Sequence, residues 1–320
     1  MAFYILVYII IVNNIRKKEI IIIVLSLFDG MSSGQLALDR ANIKYYASEI
    51  KKSAIKITKE NYPNTIHIGD VKKVSYKDGI LYTENGDFNV GKIDLLIGGS
   101  PCQNFSQSRT CGPKRDIEGL EGDKSILFYE YLRILKEVNP TYFLLENVKM
   151  KKDSEKELNK YLGVDGIHIN SSLVSFQSRK RIYWSNIPNI KVPEDKKINF
   201  QDYKDTDYEY CKQFKVNKTP SRIKFWNDGS GRVSKTPTEC DNITNKEKIG
   251  CLTRKQDRCP NSGLIEFDDF CRYLTRRELE LAQTVPIGYT DCVSINQAQD
   301  LLGDGWTVDI ITHILSFIHN

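Results

Sequence analysis

The stretch "LSLFDGMSSGQLAL" (Leu25–Leu38) decides the fold. It ends a near-continuous apolar run that starts at Ile20 ("IIIIVLSLF"), passes through a turn in which Gly30 and Gly34 bracket Met-Ser-Ser, and enters a segment with helical spacing. A run that is apolar at almost every position predicts a strand covered on both faces, as in parallel sheets. A strand, a glycine-containing turn and a helix leave free backbone N–H groups at the helix N-terminus. The spacing is not G-x-G-x-x-G, so no pyrophosphate cradle is expected, whereas a smaller nucleoside cofactor fits. Standing alone, such a stretch is more often a plain tight turn.

Outward from it the same texture repeats. "YYASEI" and "TIHIGDV" read as strands around a helix "KKSAIKITKENYP" that ends near Pro63. "KIDLLIGG" and "TYFLLENV" are strands around the helix "SILFYEYLRILKEV", and "SSLVSF" with "RIYWSN" reads as a hairpin pair. Strands alternating with helices predict an α/β fold with a doubly wound, mostly parallel sheet, whose ligands lie beyond the carboxyl ends of the strands. Four regions follow: an N-terminal extension over 1–19, a catalytic and cofactor-binding domain over 20–186, a small loop-rich lobe over 187–270, and C-terminal helices over 271–320 that return to the first domain. The last are read from "YLTRRELELAQTV" and "TVDIITHILSFIH".

The 320 residues are 40% hydrophobic and 27% charged, a globular profile with a formal net charge of +5. Ile187–Gly263 carries 16 Lys/Arg against 11 Asp/Glu, an excess equal to that of the whole chain. Within it Lys212, Lys215, Lys218, Arg222, Lys224, Arg232 and Lys235 face one acid, Asp228. The bland reading is a solvated basic face; the functional one is contact with a polyanion. Eight cysteines without a C-x-x-C pair, and four histidines, argue against a zinc site and a disulfide framework, and for reduced thiols in a cytosolic or nucleus-like compartment. "FYILVYIIIV" (Phe3–Val12) is too short to span a bilayer and lacks a signal-peptide pattern, so no membrane partner is expected. An extra strand, a peripheral anchor and an upstream extension all remain open for it.

Several strand ends carry chemistry. Glu49 stands 21 positions after Phe28, where an α/β nucleotide site places a carboxylate on the ribose, and Asp70 ends the next strand. Acids at successive strand ends point to an adenosine-containing cofactor such as S-adenosylmethionine. Cys102, in "GGSPCQ", sits at the same rim; as a thiolate it is a nucleophile, although a lone cysteine is more often inert core. Glu146 and Asn147 end a buried strand, where desolvation would let a carboxyl hold a proton near neutral pH. In "FQSRKRIYW", strand geometry puts Gln177, Arg179 and Arg181 on one face, suited to a base edge and a phosphate.

In this order "SLFDG", "SPCQ", "ENV" and "QSRKR" resemble the DNA cytosine-5 methyltransferases, from about Val24 to Trp184 and again from Tyr273 to Ile318. "VLSLFDGMSSG", "DLLIGGSPC", "LFYEYLRIL" and "LLGDGWTVDII" look closest to the catalytic domain of the vertebrate de novo enzymes, and similar stand-alone enzymes occur in phages and bacteria. The resemblance implies a Rossmann-like methyltransferase fold, S-adenosylmethionine as cofactor and double-stranded DNA as partner, with a cognate restriction endonuclease as a further candidate and a cytoplasmic setting. It implies that Phe28, Asp29, Gly30, Met31 and Ser32 hold the methionine part of the cofactor. Glu49 and Ile50 would hold the ribose side, Asp70 and Val71 the adenine, and Ser100, Leu127 and Trp306 would complete the pocket. Cys102 would attack C6 of the cytosine, Glu146 would bind and protonate N3, and Arg179 and Arg181 would contact the base and its phosphate. Gln103, Ser106, Arg109 and Gln177 would meet DNA around the flipped base, with Arg254 and Lys255 in "CLTRKQDR" as recognition contacts. One departure stands out: Gly303-Asp304-Gly305-Trp306 puts an acid near the cofactor's carboxylate, where many bacterial relatives have Asn.

Three other functions compete. A tRNA cytosine-5 methyltransferase shares the fold and the Pro-Cys nucleophile. A catalytically silent regulator on the same fold usually lacks the nucleophile or the glutamate, and this chain has both. A nicotinamide dehydrogenase is disfavoured by the missing G-x-G-x-x-G.

Overall fold

The computed structural model describes residues 21–38, 42–100, 126–217, 219–220, 222–223, 226–227, 232–233, 240–258, 260–267 and 269–319. The N-terminal extension and Lys218, Lys224 and Lys235 of the basic run lie outside the described residues.

The chain begins with β1 (Ile22–Leu27), α1 (Ser33–Leu38), β2 (Ile43–Ser48), α2 (Lys52–Asn61) and a two-residue β3 (Ile66–His67). Next come β4 (Ser75–Lys77), β5 (Ile80–Thr83) and β6 (Gly86–Asn89), a separate antiparallel sheet. The chain then re-enters the main sheet with β7 (Leu95–Gly98), α3 (Ile126–Val138), β8 (Tyr142–Val148), α4 (Lys152–Leu162), β9 (Ile167–Asn170) and β10 (Lys180–Ser185). The main sheet has seven strands in the order β3-β2-β1-β7-β8-β10-β9. Pairs from β3 through β8 are parallel, and β10 runs antiparallel to both its neighbours. The doubly wound, mostly parallel α/β architecture is therefore the fold of this chain.

Alternation along the strands builds two cores. Val24, Leu95, Ile97 and Leu144 face one side with α1 and the C-terminal helices, while Leu25, Leu27, Leu96, Phe143 and Leu145 face α3 and α4. The chain winds outward from β1 through β2 to β3, then returns past β1 to β7 and β8. This reversal makes the β1/β7 boundary the switch point of the sheet. Leu27 pairs with Gly98 and Ser48, and Gly98 pairs with Leu145. The residues that follow Leu27, Ser48 and Gly98 therefore leave the sheet side by side, next to Glu146, which β8 still carries opposite Tyr183 of β10.

Three local expectations change. The hairpin partner of β10 is β9, not "SSLVSF", because Ser171–Leu173 forms a 3-10 turn capped by Asn170. The strand in "TIHIGDV" shortens to β3, since Asp70 accepts from Lys72 N and starts another 3-10 turn. Gln177 and Arg179 lie before β10 rather than in it, so the expected strand face shared by Gln177, Arg179 and Arg181 does not form.

The lobe contains α5 (Tyr208–Lys212) and the short ribbons β11 (Trp226–Asn227) with β12 (Arg232–Val233), and β13 (Ile265–Glu266) with β14 (Cys271–Arg272). Its own small core includes Cys211, Val216, Val233, Leu264, Phe270 and Cys271. Part of its positive charge is engaged internally: Lys204 donates to Thr244 O, Lys248 to Ser172 O, and Arg222 pairs with Asp257. The chain finishes with α6 (Arg276–Ala282), α7 (Ile295–Asp304) and α8 (Val308–Leu315). Capping boxes start α6 (Thr275/Glu278) and α7 (Ser294/Gln297). Ile295–Ile318 is apolar and long enough by composition to cross a membrane, but α7 and α8 flank the turn at Gly305, and half of its apolar window is buried in the protein.

Arg272 fastens the lobe to α6. Its guanidinium donates to both Glu278 oxygens at 2.8 and 2.9 Å and to Asp205 O at 2.9 Å, with both side chains of the ion pair fully buried. Removing the cation leaves Glu278 charged and uncompensated in the interior. Arg272→Met is expected to lower unfolding free energy by about 3–5 kcal/mol in a urea titration; a loss below about 1 kcal/mol would contradict this anchoring role.

Candidate active site

The neighbouring strand ends enclose a cavity of about 350 Å³. The β1 turn forms its floor. Phe28, Gly30 and Ser32 all have left-handed backbone (φ +57°, +61° and +59°), a costly conformation for a residue as large as Phe28. The turn is tied down by its neighbours: Asp29 N donates to Ser48 O at 3.0 Å, and Gly30 N donates to Glu49 Oε2 at 2.8 Å. A Cβ on Gly30 would have no atom within 4 Å, so the backbone there is open to an incoming ligand.

Behind the turn, Asp29 accepts from the Tyr45 hydroxyl at 2.7 Å and the Ser32 hydroxyl at 2.5 Å. Burial outweighs these bonds and raises the Asp29 carboxyl to about 6. A carboxyl whose folded pKa exceeds its unfolded value binds its proton more tightly when folded. Its contribution therefore favours the fold at low pH and is lost as pH rises from about 4 to about 6. Unfolding free energy should fall by about 2 kcal/mol across that window from this group, and Asp29→Asn should remove that part of the slope. Urea titrations of both proteins between pH 4 and 7 check this; parallel pH profiles would contradict it.

The other walls come from the adjacent strand ends. Glu49 Oε1 also accepts from Ile50 N and Lys51 N, both at 2.8 Å, which holds the carboxylate at the rim. Ile50, Asp70, Val71 and Leu127 also line the cavity, as do Met31, Gly305 and Trp306. Ser100 also lies on the wall and accepts from Asn147 Nδ2 at 3.2 Å.

Glu146, only 8% exposed, is gripped from two sides. Arg181 Nε lies 2.9 Å from Oε1, and Trp306 Nε1 donates to Oε2 at 3.0 Å. A Cβ on Gly99 would stand 2.8 Å from Trp306 Nε1 and 3.2 Å from Glu146 Oε2, so only glycine fits beside this pair. The sequence reading expected a desolvated carboxyl; the fold in addition supplies it with a cation and an indole N–H.

Most of the expected site residues share this cavity: Phe28, Asp29, Gly30, Met31, Glu49, Ile50, Asp70, Val71, Ser100, Leu127, Glu146, Arg179, Arg181 and Trp306 all line it. Ser32 does not; its hydroxyl supports the turn from behind, near Thr58. Gln177 is fully buried and bonded to Leu252 N and Ala282 O, so it braces the lobe and α6 instead of facing DNA. Arg179 lines the cavity, yet its guanidinium donates to Leu252 O, Gly303 O and Gly305 O at 2.8–3.2 Å, pinning the lobe to the turn after α7. Arg254 lies on the cavity rim beside Asp300 and Asp304, and Lys255 N donates to Asp300 Oδ1. Lys51 was not anticipated, although its place two residues after Glu49 puts it on the same rim. Cys102, Gln103, Ser106 and Arg109 lie outside the described residues. Among the described residues no His/Cys/Asp/Glu group is arranged to hold a metal ion.

Known proteins resemble this chain in sequence and in fold. An orphan methyltransferase, M.Rho11sI of Bacillus phage rho11s, is 34% identical over 188 residues, which cover 54% of this chain and 34% of the phage protein. The type II methyltransferase M.NgoBV of Neisseria gonorrhoeae is 31% identical over 184 residues, covering 50% of this chain and 40% of its own length. The chain thus spans less than half the length of these curated relatives. Among solved structures, the Entamoeba histolytica methyltransferase EhMeth superposes with a TM-score of 0.68 at 16% identity, covering 93% of this chain and 98% of its own. The S. pombe Dnmt2 methyltransferase superposes at 0.66 with 19% identity and the same coverages. These two likenesses carry the fold. The family model described as C-5 cytosine-specific DNA methylase matches residues 22–320, which takes in the whole sheet, the lobe and the returning helices. By that match, this chain belongs to the C-5 cytosine-specific DNA methylases.

Proposed function

We propose that this chain transfers a methyl group from S-adenosylmethionine to C5 of a cytosine in double-stranded DNA, through a covalent Cys102 adduct at C6. The observation that carries the reading is Glu146, held by Arg181 and Trp306 on the cavity wall next to Gly99 and Ser100, three and two positions before Cys102.

The cavity suits the cofactor by chemistry. Its size falls within the range of small-molecule sites, apolar side chains of Ile50, Val71 and Leu127 can flank a purine, and Glu49 and Asp70 can accept from ribose and amino groups. Once bound, S-adenosylmethionine supplies an electrophilic methyl on a sulfonium. The rest falls to the chain. The Cys102 thiolate adds to C6 while Glu146 donates a proton to N3, so that C5 gains the electron density needed to take the methyl. A base, or a water, then removes the C5 proton, the C6–sulfur bond breaks so that Cys102 departs as thiolate, and N3 returns its proton to Glu146. Arg181 orients Glu146 and balances its charge when the proton has left. C5 is out of reach inside a stacked duplex, so the cytosine must be flipped into the site. The lobe's remaining cations would hold the phosphates, with salt-sensitive affinity.

Methyl-labelled S-adenosylmethionine offered with duplex DNA and, separately, with tRNA tests the reading. Label is expected in cytosine of the duplex; label in tRNA alone would establish the competing substrate. Bisulfite sequencing of DNA from expressing cells adds the sequence context.

A further inference from the structure

The cations around the cavity divide into two kinds. Arg179 is engaged with three backbone carbonyls and Arg181 with Glu146. Lys51 and Arg254 are different. Lys51 Nζ is shielded from solvent, yet has no hydrogen-bond partner among the described residues, and the acid it faces, Asp304 Oδ2, is 3.9 Å away. Arg254 Nε stands 3.6 Å from that same oxygen, and Arg254 NH2 stands 3.7 Å from Asp300 Oδ2. One carboxylate oxygen is thus shared at long range by two cations, and all three side chains line the cavity.

Their position within the cavity matters. Ile50, Val71 and Leu127 are the apolar lining suited to flank an adenosine. The β1 turn and the turn after α7 meet on the same lining, where a Cβ on Gly305 would lie 3.1 Å from Met31 Cε. Asp304 immediately precedes that contact. The lobe reaches the same point, because a Cβ on Gly303 would come within 2.5 Å of the Thr253 backbone.

We propose that Lys51 and Arg254 form the receptor for the carboxylate at the amino-acid end of the cofactor, and that Asp304 competes with that carboxylate for the two cations. The inference rests on the methyl-donor reading above. It gives Arg254 a cofactor-binding role and makes the 251–258 segment one wall of the cofactor site. It also gives the acid in Gly303-Asp304-Gly305 a place: Asp304 faces both cations, with Asp300 as a second acid beside Arg254, and an incoming carboxylate would take over the cations from Asp304. Burial raises the Asp304 carboxyl above the usual carboxylate range and Asp300 adds to this, while Arg254 and Lys51 at 3.6 and 3.9 Å offset only part of it.

Calorimetric titration of S-adenosylhomocysteine and of 5′-methylthioadenosine, which lacks the amino-acid end, tests the proposal on the full chain. Lys51→Gln and Arg254→Gln should each weaken S-adenosylhomocysteine about tenfold and leave 5′-methylthioadenosine within about twofold. Asp304→Asn should tighten S-adenosylhomocysteine several-fold. Equal affinities in all proteins, equal losses for both ligands, or weaker binding by Asp304→Asn would overturn the receptor while leaving the methyl-donor reading intact. A wild-type chain that binds neither ligand would overturn both.

Discussion

Cys102→Ala is expected to leave no measurable methyl transfer, a loss of at least about 10⁴-fold, with S-adenosylhomocysteine affinity within a few-fold of wild type. Without addition at C6, C5 of cytosine is a poor nucleophile and no other side chain replaces the missing electron pair. The cavity proposed for the cofactor, by contrast, takes its described walls from β1, β2, β7, β8 and the turn after α7, all formed without the thiol. Single-turnover transfer of labelled methyl to duplex DNA, together with calorimetry, separates the two effects. Appreciable turnover in this variant would remove Cys102 from the mechanism.

Glu146→Gln should lower kcat by about 10²–10³-fold with a small change in cofactor affinity. Glutamine keeps the size and can still accept from Arg181 or from Trp306. It cannot give up a proton to N3, and its amide nitrogen must face one of the two donors that now hold the carboxylate at 2.9 and 3.0 Å. The wild-type arrangement is therefore lost in charge and in hydrogen-bond pattern together. If the variant retained wild-type kcat on duplex DNA, Glu146 would be only an ion-pair partner for Arg181.

Much of the fold was legible locally. The apolar runs of β1, β7 and β8 and the helices between them stand out because burial on both faces requires unbroken hydrophobic strands. The β4–β6 sheet was overlooked although its turns are written in Asp78-Gly79 and Asn85-Gly86, with φ of +51° and +83° at the first pair. α4 escaped because it is mostly polar and buries only Leu158 and Leu162. The hairpin before β10 was misplaced because Asn170 caps a 3-10 turn, a hydrogen bond that hydrophobic spacing does not reveal.

The sequence by itself determined that this chain winds an α/β sheet and sets acids, a cysteine and a glycine turn at successive strand ends, since strand and helix periodicities are short-range properties of the chain. Only the tertiary structure decided how those ends are partnered. Trp306 reaches Glu146 across 160 residues, Gln177 turns into the interior, and Arg254 comes to line the cavity beside Asp300 and Asp304. Each outcome depends on which buried donors and acceptors must find partners once the lobe and the C-terminal helices close over the switch point, and no local pattern encodes that competition.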